Sequence, residues 1–147
     1  MKPLKNIISI FKQRKSNRIQ RENSWMEELN RLGFNKVTFP IIIKDNFDLQ
    51  VVSELKDFAR DPDIFYQKFD NNVQLIDHEM KIWTWRYDLI NKTNLPNELI
   101  KSLTFEELKE LLSYQLDESK QGEELTEFLY KIPTIDGLIE FISGKIK

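Results

Sequence analysis

The densest run of apolar residues in the chain lies between Val73 and Tyr87, reading VQLIDHEMKIWTWRY. β-Branched and aromatic residues bounded by turn formers predict a hairpin here. Val73–Ile76 forms one strand, Asp77-His78-Glu79 the turn, and Met80–Tyr87 the return strand. On the return strand Trp83, Trp85 and Tyr87 share one face and Met80, Ile82 and Thr84 the other. Both faces are largely apolar, which places this strand at the centre of a sheet. Val37, Phe39, Ile41 and Ile43 alternate in a second strand, over 37–43. Pro40 has no amide to give to a ladder, so that strand is expected to lie at an edge or to bend there.

Elsewhere the apolar spacing is helical. Ser24 and Glu27 fit a capping box ahead of the stripe Trp25, Leu29 and Leu32, with Gly33 suited to a left-handed stop. Asp48 predicts a helix start whose buried face is Val51, Val52, Leu55, Phe58 and Ala59, with Phe47 and Val52 as its staple. Asp61-Pro62 opens a short helix running to Phe69, and Asn94 with Pro96 another running to Leu103. Thr104 and Glu107 form a second capping box, followed by Phe105, Leu108, Leu111, Leu112 and Leu116 on one face. After a break at Gly122, Leu125, Phe128, Leu129 and Ile132 make the next face, closed by Pro133. Thr134 caps a last helix with Ile135, Leu138, Ile139 and Ile142 inward and Gly144 at its end. These elements predict an α+β fold: a small three-stranded antiparallel sheet (37–43, 73–77, 80–87) packed by five to six helices, with a helical C-terminal half.

The N-terminus differs from the rest. Leu4, Ile7, Ile8 and Phe11 line one side of a short helix, and residues 12–23 hold a single apolar residue, Ile19. Residues 1–23 are therefore expected to be a basic amphipathic arm or linker, and residues 24–147 one globular domain. At 147 residues one domain is the ordinary expectation, with roughly 70% of the unfolded surface buried.

Overall charge changes this picture less than its distribution does. The net charge is only -2. Residues 1–36, however, carry net +6, residues 37–96 net -3 and residues 97–147 net -5. Lys2, Lys5, Lys12, Arg14, Lys15, Arg18 and Arg21 are unmixed with acids over residues 1–21. An amphipathic segment with that charge suits an anionic membrane surface. It could equally meet phosphates or the chain's own acidic half, although too few other features point to nucleic acid. Lysine outnumbers arginine 16 to 6 and Ala59 is the sole alanine, usage that suits an AT-rich, bacterial genome.

Candidate chemistry is sparse. With no cysteine, disulfides, thiolate nucleophiles and cysteine metal sites are excluded. His78 is the only histidine, flanked by Asp77 and Glu79. A carboxylate-flanked imidazole has the means to act as a general acid, but an exposed turn is ordinary polar surface. A lone histidine is a poor zinc set. Asp57, Asp61 and Asp63 match a calcium loop only loosely, lacking its glycine and terminal glutamate. The four scattered glycines exclude a phosphate-cradling loop, and no nucleophile-elbow serine is found. Trp83, Trp85 and Tyr87 could stack on bases or a sugar, yet only Lys81 and Arg86 accompany them, so a core role fits better. The Asn91-Lys92-Thr93 sequon is read as chance in a chain with no secretion signal. No stretch reaches the length of a membrane span, and the short apolar run Ile7–Phe11 lacks a cleavage site. A cytoplasmic location is expected, with peripheral membrane contact through the arm as the variant.

No cofactor and no metal are expected. The composition and charge favour a non-catalytic protein-binding module, of the immunity or antitoxin-like inhibitor class, that offers an acidic surface to a partner protein. The alternatives are a peripheral membrane adaptor acting through residues 1–21 and a hydrolase with unmarked carboxylates.

Overall fold

The computed structural model describes residues 20–46, 48–60, 67–118 and 123–146. Helix α1 covers residues 20–32 and is followed by a single 3-10 turn, Phe34–Lys36. Then come β1 (Ile41–Lys44), β2 (Leu49–Val52), α2 (Leu55–Arg60), β3 (Gln74–Ile76), β4 (Lys81–Asp88) and β5 (Thr93–Ser102). The chain ends in α3 (Phe105–Glu118), α4 (Glu123–Lys131) and α5 (Ile135–Ile146). The strands form one antiparallel sheet in the order β2-β1-β3-β4-β5.

Successive strand residues point to opposite faces, and this sheet is covered on both. One face buries Ile41, Ile43, Leu75, Trp83 and Leu95 against Leu29 of α1, Phe34 and Phe58 of α2. The other buries Ile42, Ile76 and Ile82 against Leu108 and Leu112 of α3, Leu129 of α4 and Leu138 and Ile142 of α5. Ile41-Ile42-Ile43 reads as an unbroken apolar run because it feeds both cores. The result is three layers, helix on sheet on helix.

The first core is aromatic. Phe58 stacks on Trp85 with ring centroids 5.7 Å apart, while Phe69 meets the same indole edge-on at 5.0 Å. Phe34 packs tilted against Phe58 at 4.9 Å. Trp83 and Trp85 therefore serve as core, not as a platform for a ligand. Trp85 Nε1 is buried with no hydrogen-bond partner among the described residues.

Between β3 and β4, the Asp77 carboxylate is buried and accepts three hydrogen bonds. These come from the amides of Glu79 (3.0 Å) and Lys81 (3.1 Å) and from Trp83 Nε1 (3.0 Å). The turn places Met80 at φ 64, a left-handed conformation that is uncommon outside glycine. Asp77 thus ties the turn, the start of β4 and the indole into one unit.

The expected three-stranded sheet is corrected to five strands; the α+β class stands. Leu49–Val52, read as the start of a helix, is β2. Asp45 and Asp48 close a tight turn instead of capping: the Asp48 amide donates to Asp45 Oδ1 at 2.6 Å and the Asp45 amide to Asp48 O at 3.1 Å. Leu49 and Val52 then face opposite cores. Thr93–Ser102, also read as helical around Pro96, is the edge strand β5. Proline is tolerated on an edge because its missing amide is lost to no ladder. β1 begins after Pro40 and lies between β2 and β3, so the proline did not force it to an edge. β4 has neighbours on both sides as expected, but β3 is the middle strand.

Helix ends show both agreement and correction. The Thr104 amide donates to Glu107 Oε1 and the Glu107 amide to Thr104 Oγ1, each at 3.1 Å, completing the reciprocal capping box. Thr134 Oγ1 accepts from the Gly137 amide at 3.1 Å, as an N-cap does. Ser24 caps nothing, because the helix is already formed by residue 20. Gly33 has an extended φ of 169, and its lack of a side chain serves close approach: a Cβ would lie 3.0 Å from Pro96 O. Gly144 lies inside α5 rather than at its end. Phe128, expected to face inward, is exposed. The short helix expected from Asp61 does not reach Phe69, since residues 67–69 are irregular; residues 61–66 and Gly122, where a break was expected, lie outside the described residues.

Asp77→Ala removes the acceptor of three hydrogen bonds, one of them from the buried Trp83 indole, and should lower stability by about 3–5 kcal/mol, read from urea midpoints. An unchanged midpoint would remove Asp77 from the account of the turn. The Glu107 carboxyl is held below its ordinary value, first by the Thr104 amide and then by Lys101, 3.1 Å away. A depressed carboxyl stabilises the fold above its unfolded-state pKa, and that contribution is lost as pH falls through the folded-state value. Stability measured across the acid range should therefore fall less steeply in Glu107→Gln than in the parent; identical slopes would contradict this.

Candidate protein-binding surface

The C-terminal helices follow the binary pattern that buries Leu108, Leu112, Leu129, Leu138 and Ile142. What that pattern leaves outward is less ordinary. Exposed charges described on α3–α5 are Glu106, Glu110, Glu127, Asp136 and Glu140, against the single exposed cation Lys131. Among these carboxylates stand three exposed aromatic side chains: Tyr114 on α3, and Phe128 and Tyr130 on α4. Phe128 lies 5.3 Å from the half-buried Phe141 ring of α5, so the pair bridges two helices.

Lys109 fixes α3 against α4. Its ammonium is buried, donates to Tyr130 O at 3.1 Å, and sits 4.3 Å above the Phe105 ring. Glu106 lies 3.9 Å away. Tyr130 is in the last turn of α4, where carbonyls lack helical partners and favour a cation. The aromatic residues are consequently carried on helices whose relative position is braced from within. Lys109 went unnoticed in the sequence because a lysine at helical spacing normally signals solvent.

Of the arm residues, Lys2, Lys5, Lys12, Arg14, Lys15 and Arg18 lie outside the described residues; Arg21 is on α1 and exposed. His78 does not stand alone at its turn tip. Its Nε2 lies 2.7 Å from Asp136 Oδ1 at the start of α5, and its amide donates to Thr38 O at 2.9 Å. Among the described residues no serine or threonine hydroxyl joins this pair. The neighbouring Glu79 carboxyl is lowered chiefly by its hydrogen bond to Lys81. Asp57 receives the Glu54 amide at 3.2 Å at the head of α2, while Asp61 and Asp63 are outside the described residues. No group of three or more His, Asp or Glu among the described residues is placed to hold a metal. A cleft of about 300 Å³ between the β1–β2 turn and residues 67–73 is lined by Asp45, Asp48, Gln67, Lys68 and Asp70, a mixed polar set without a reactive pairing.

Two further exposed apolar groups lie on the β4–β5 hairpin: Leu89 and Ile90 at its tip, and Leu99 and Ile100 on the edge strand. The edge is partly protected. Pro96 and the Lys36 ammonium, 3.3 Å from Asn97 O, interrupt the strand's edge, and two register irregularities break its pairing with β4. In the sequon, the Asn91 amide donates to Asp88 and Thr93 is buried. No helix among the described residues is long and apolar enough to cross a membrane.

No protein-family model matches the chain, and neither a curated protein nor a solved structure does.

Asp136 is 78% exposed, so its contact with His78 is solvent-screened and worth at most about 1 kcal/mol. His78→Ala is expected to shift the unfolding midpoint by no more than that and to leave any partner binding intact. Loss of a measured activity in this variant would give the imidazole a chemical role.

Proposed function

We propose that this protein is a non-catalytic protein-binding module that offers the outer surface of α3–α5 to a basic partner, in the manner of an immunity or antitoxin-like inhibitor. The carrying observation is the placement of Tyr114, Phe128 and Tyr130, exposed, among Glu106, Glu110, Glu127 and Glu140. Aromatic side chains supply large contact area and dominate binding energy where they are desolvated at an interface. Surrounding carboxylates steer a cationic surface toward them and discriminate against acidic proteins. The brace through Lys109 lowers the ordering cost of binding, since the helices carrying the anchors are already fixed.

A second reading, a peripheral membrane adaptor, rests on the seven unmixed cations of residues 1–21. It differs in the residues it needs, so the two separate cleanly by mutation.

Full-length protein immobilised at low salt should retain a discrete partner from the native host. Phe128→Arg and the pair Glu110→Lys/Glu127→Lys should each reduce that retention by tenfold or more, equivalent to about 1.4 kcal/mol or above. Their unfolding midpoints should stay near the parent's, because these side chains are exposed. Retention unchanged in all of these variants refutes the helical-face reading. If retention instead follows the charges of residues 1–21, the arm is the contact.

A further inference from the structure

The tip of the β4–β5 hairpin is the most exposed apolar feature among the described residues. Leu89 is 80% and Ile90 89% exposed. Isolated aliphatic side chains on a surface are ordinary, but two adjacent ones at the apex of the longest hairpin in the sheet are not. The apex is also fixed. Asp88 accepts from Asn91 Nδ2 at 2.6 Å and from the Ile90 amide at 3.4 Å, and Lys92 takes φ 53 to close the turn. Hydrogen bonding by Asn91, aided by nearby Arg86, holds the Asp88 carboxyl below its ordinary range. Asp88 therefore keeps its negative charge, bonded within the turn, while Arg86, whose guanidinium donates to Leu32 O at 3.2 Å, and Lys92 are exposed cations on either side of the aliphatic pair.

We propose that Leu89 and Ile90 form a membrane-contacting tip that enters the interface of a phospholipid bilayer, with Arg86 and Lys92 against the lipid phosphates. The shape favours a bilayer over a protein pocket: a convex, aliphatic point needs a phase that yields around it, and no complementary concavity is required. The charge order is that of interfacial segments, apolar residues leading and cations at the headgroup level. This contact is separate from the acidic helical face and from the basic arm, and it adds a location to the protein-binding reading without depending on it.

The test uses full-length protein and vesicles of three parts phosphatidylcholine to one part phosphatidylglycerol. The parent should co-sediment with them, and Leu89→Ser/Ile90→Ser should lower its partition coefficient by about tenfold or more with an unchanged melting midpoint. Because the chain has no cysteine, Ile90→Cys can carry an environment-sensitive fluorophore as the single label. Its emission should shift to the blue on adding vesicles, and the same label at Ser102→Cys, at the far end of β5, should not respond. No co-sedimentation of the parent overturns the proposal, as does a label at position 90 that stays in water. Binding that survives Leu89→Ser/Ile90→Ser but is lost when Lys12, Arg14, Lys15 and Arg18 become glutamine belongs to the arm, and also overturns it. Retention of a host protein that requires Leu89 and Ile90, without vesicle binding, assigns the tip to a protein pocket instead. None of these outcomes bears on Phe128 or Glu127, so failure here leaves the helical-face reading to its own test.

Discussion

A buried carboxylate needs hydrogen-bond donors, and Asp77 finds three within the next six residues. That requirement shapes the middle of the molecule. Binding the amides of Glu79 and Lys81 sets the turn and brings Met80 to positive φ. The third bond, from Trp83, orients the indole. The register Leu75↔Trp83 and Ile76↔Ile82 follows, and with it the assignment of Ile82 to one core and of Trp83 and Trp85 to the other. A slip by one residue would carry the tryptophans to the face that α3–α5 cover.

The two cores built on that register differ in kind. The α1–α2 side is aromatic, its rings meeting at stacked and edge-on angles around Trp85. Loop residues 67–69 are drawn onto it by Asn94, which is buried, accepts from the Phe69 amide and donates to Gln67 O. The α3–α5 side is aliphatic and held at its margins by polar clips: the Thr104–Glu107 box, the Lys109–Tyr130 contact and the His78–Asp136 pair. Most hydrogen bonds of the sheet are local to hairpins, and the Thr104–Glu107 box is local to one helix start, whereas the Lys109–Tyr130 and His78–Asp136 contacts join elements distant in sequence.

Surface chemistry divides along the same architecture. Helices turned toward the aliphatic core must leave their polar stripe outward, and in this chain that stripe is acidic and interrupted by Tyr114, Phe128 and Tyr130. The β4–β5 hairpin instead ends in Leu89 and Ile90, with cations on both flanks. Binding by the first surface would leave the second available, so recognition and placement need not compete.

The linear pattern determined those features whose cause is local. Thr104 and Glu107 are close enough along the chain to satisfy each other, so the capping box was legible, as were the β3–β4 hairpin and the buried stripes of α1 and α5. The Trp83/Trp85 alternation likewise identified one face before any neighbour was known. Leu49–Val52 and Thr93–Ser102 look helical in the sequence, with Asp48 and Pro96 as apparent starts, but strands satisfy their spacing equally. Only pairing with β1 and β4 decided between the two, and pairing is a property of chain segments far apart. The same holds for the candidate surfaces. Acid content and aromatic residues are countable in the sequence, but exposure is what remains after packing. Phe128 belonged to a predicted inward stripe until Leu129 and Ile132 filled that face, and Leu89-Ile90 became a tip only when β5 closed the hairpin.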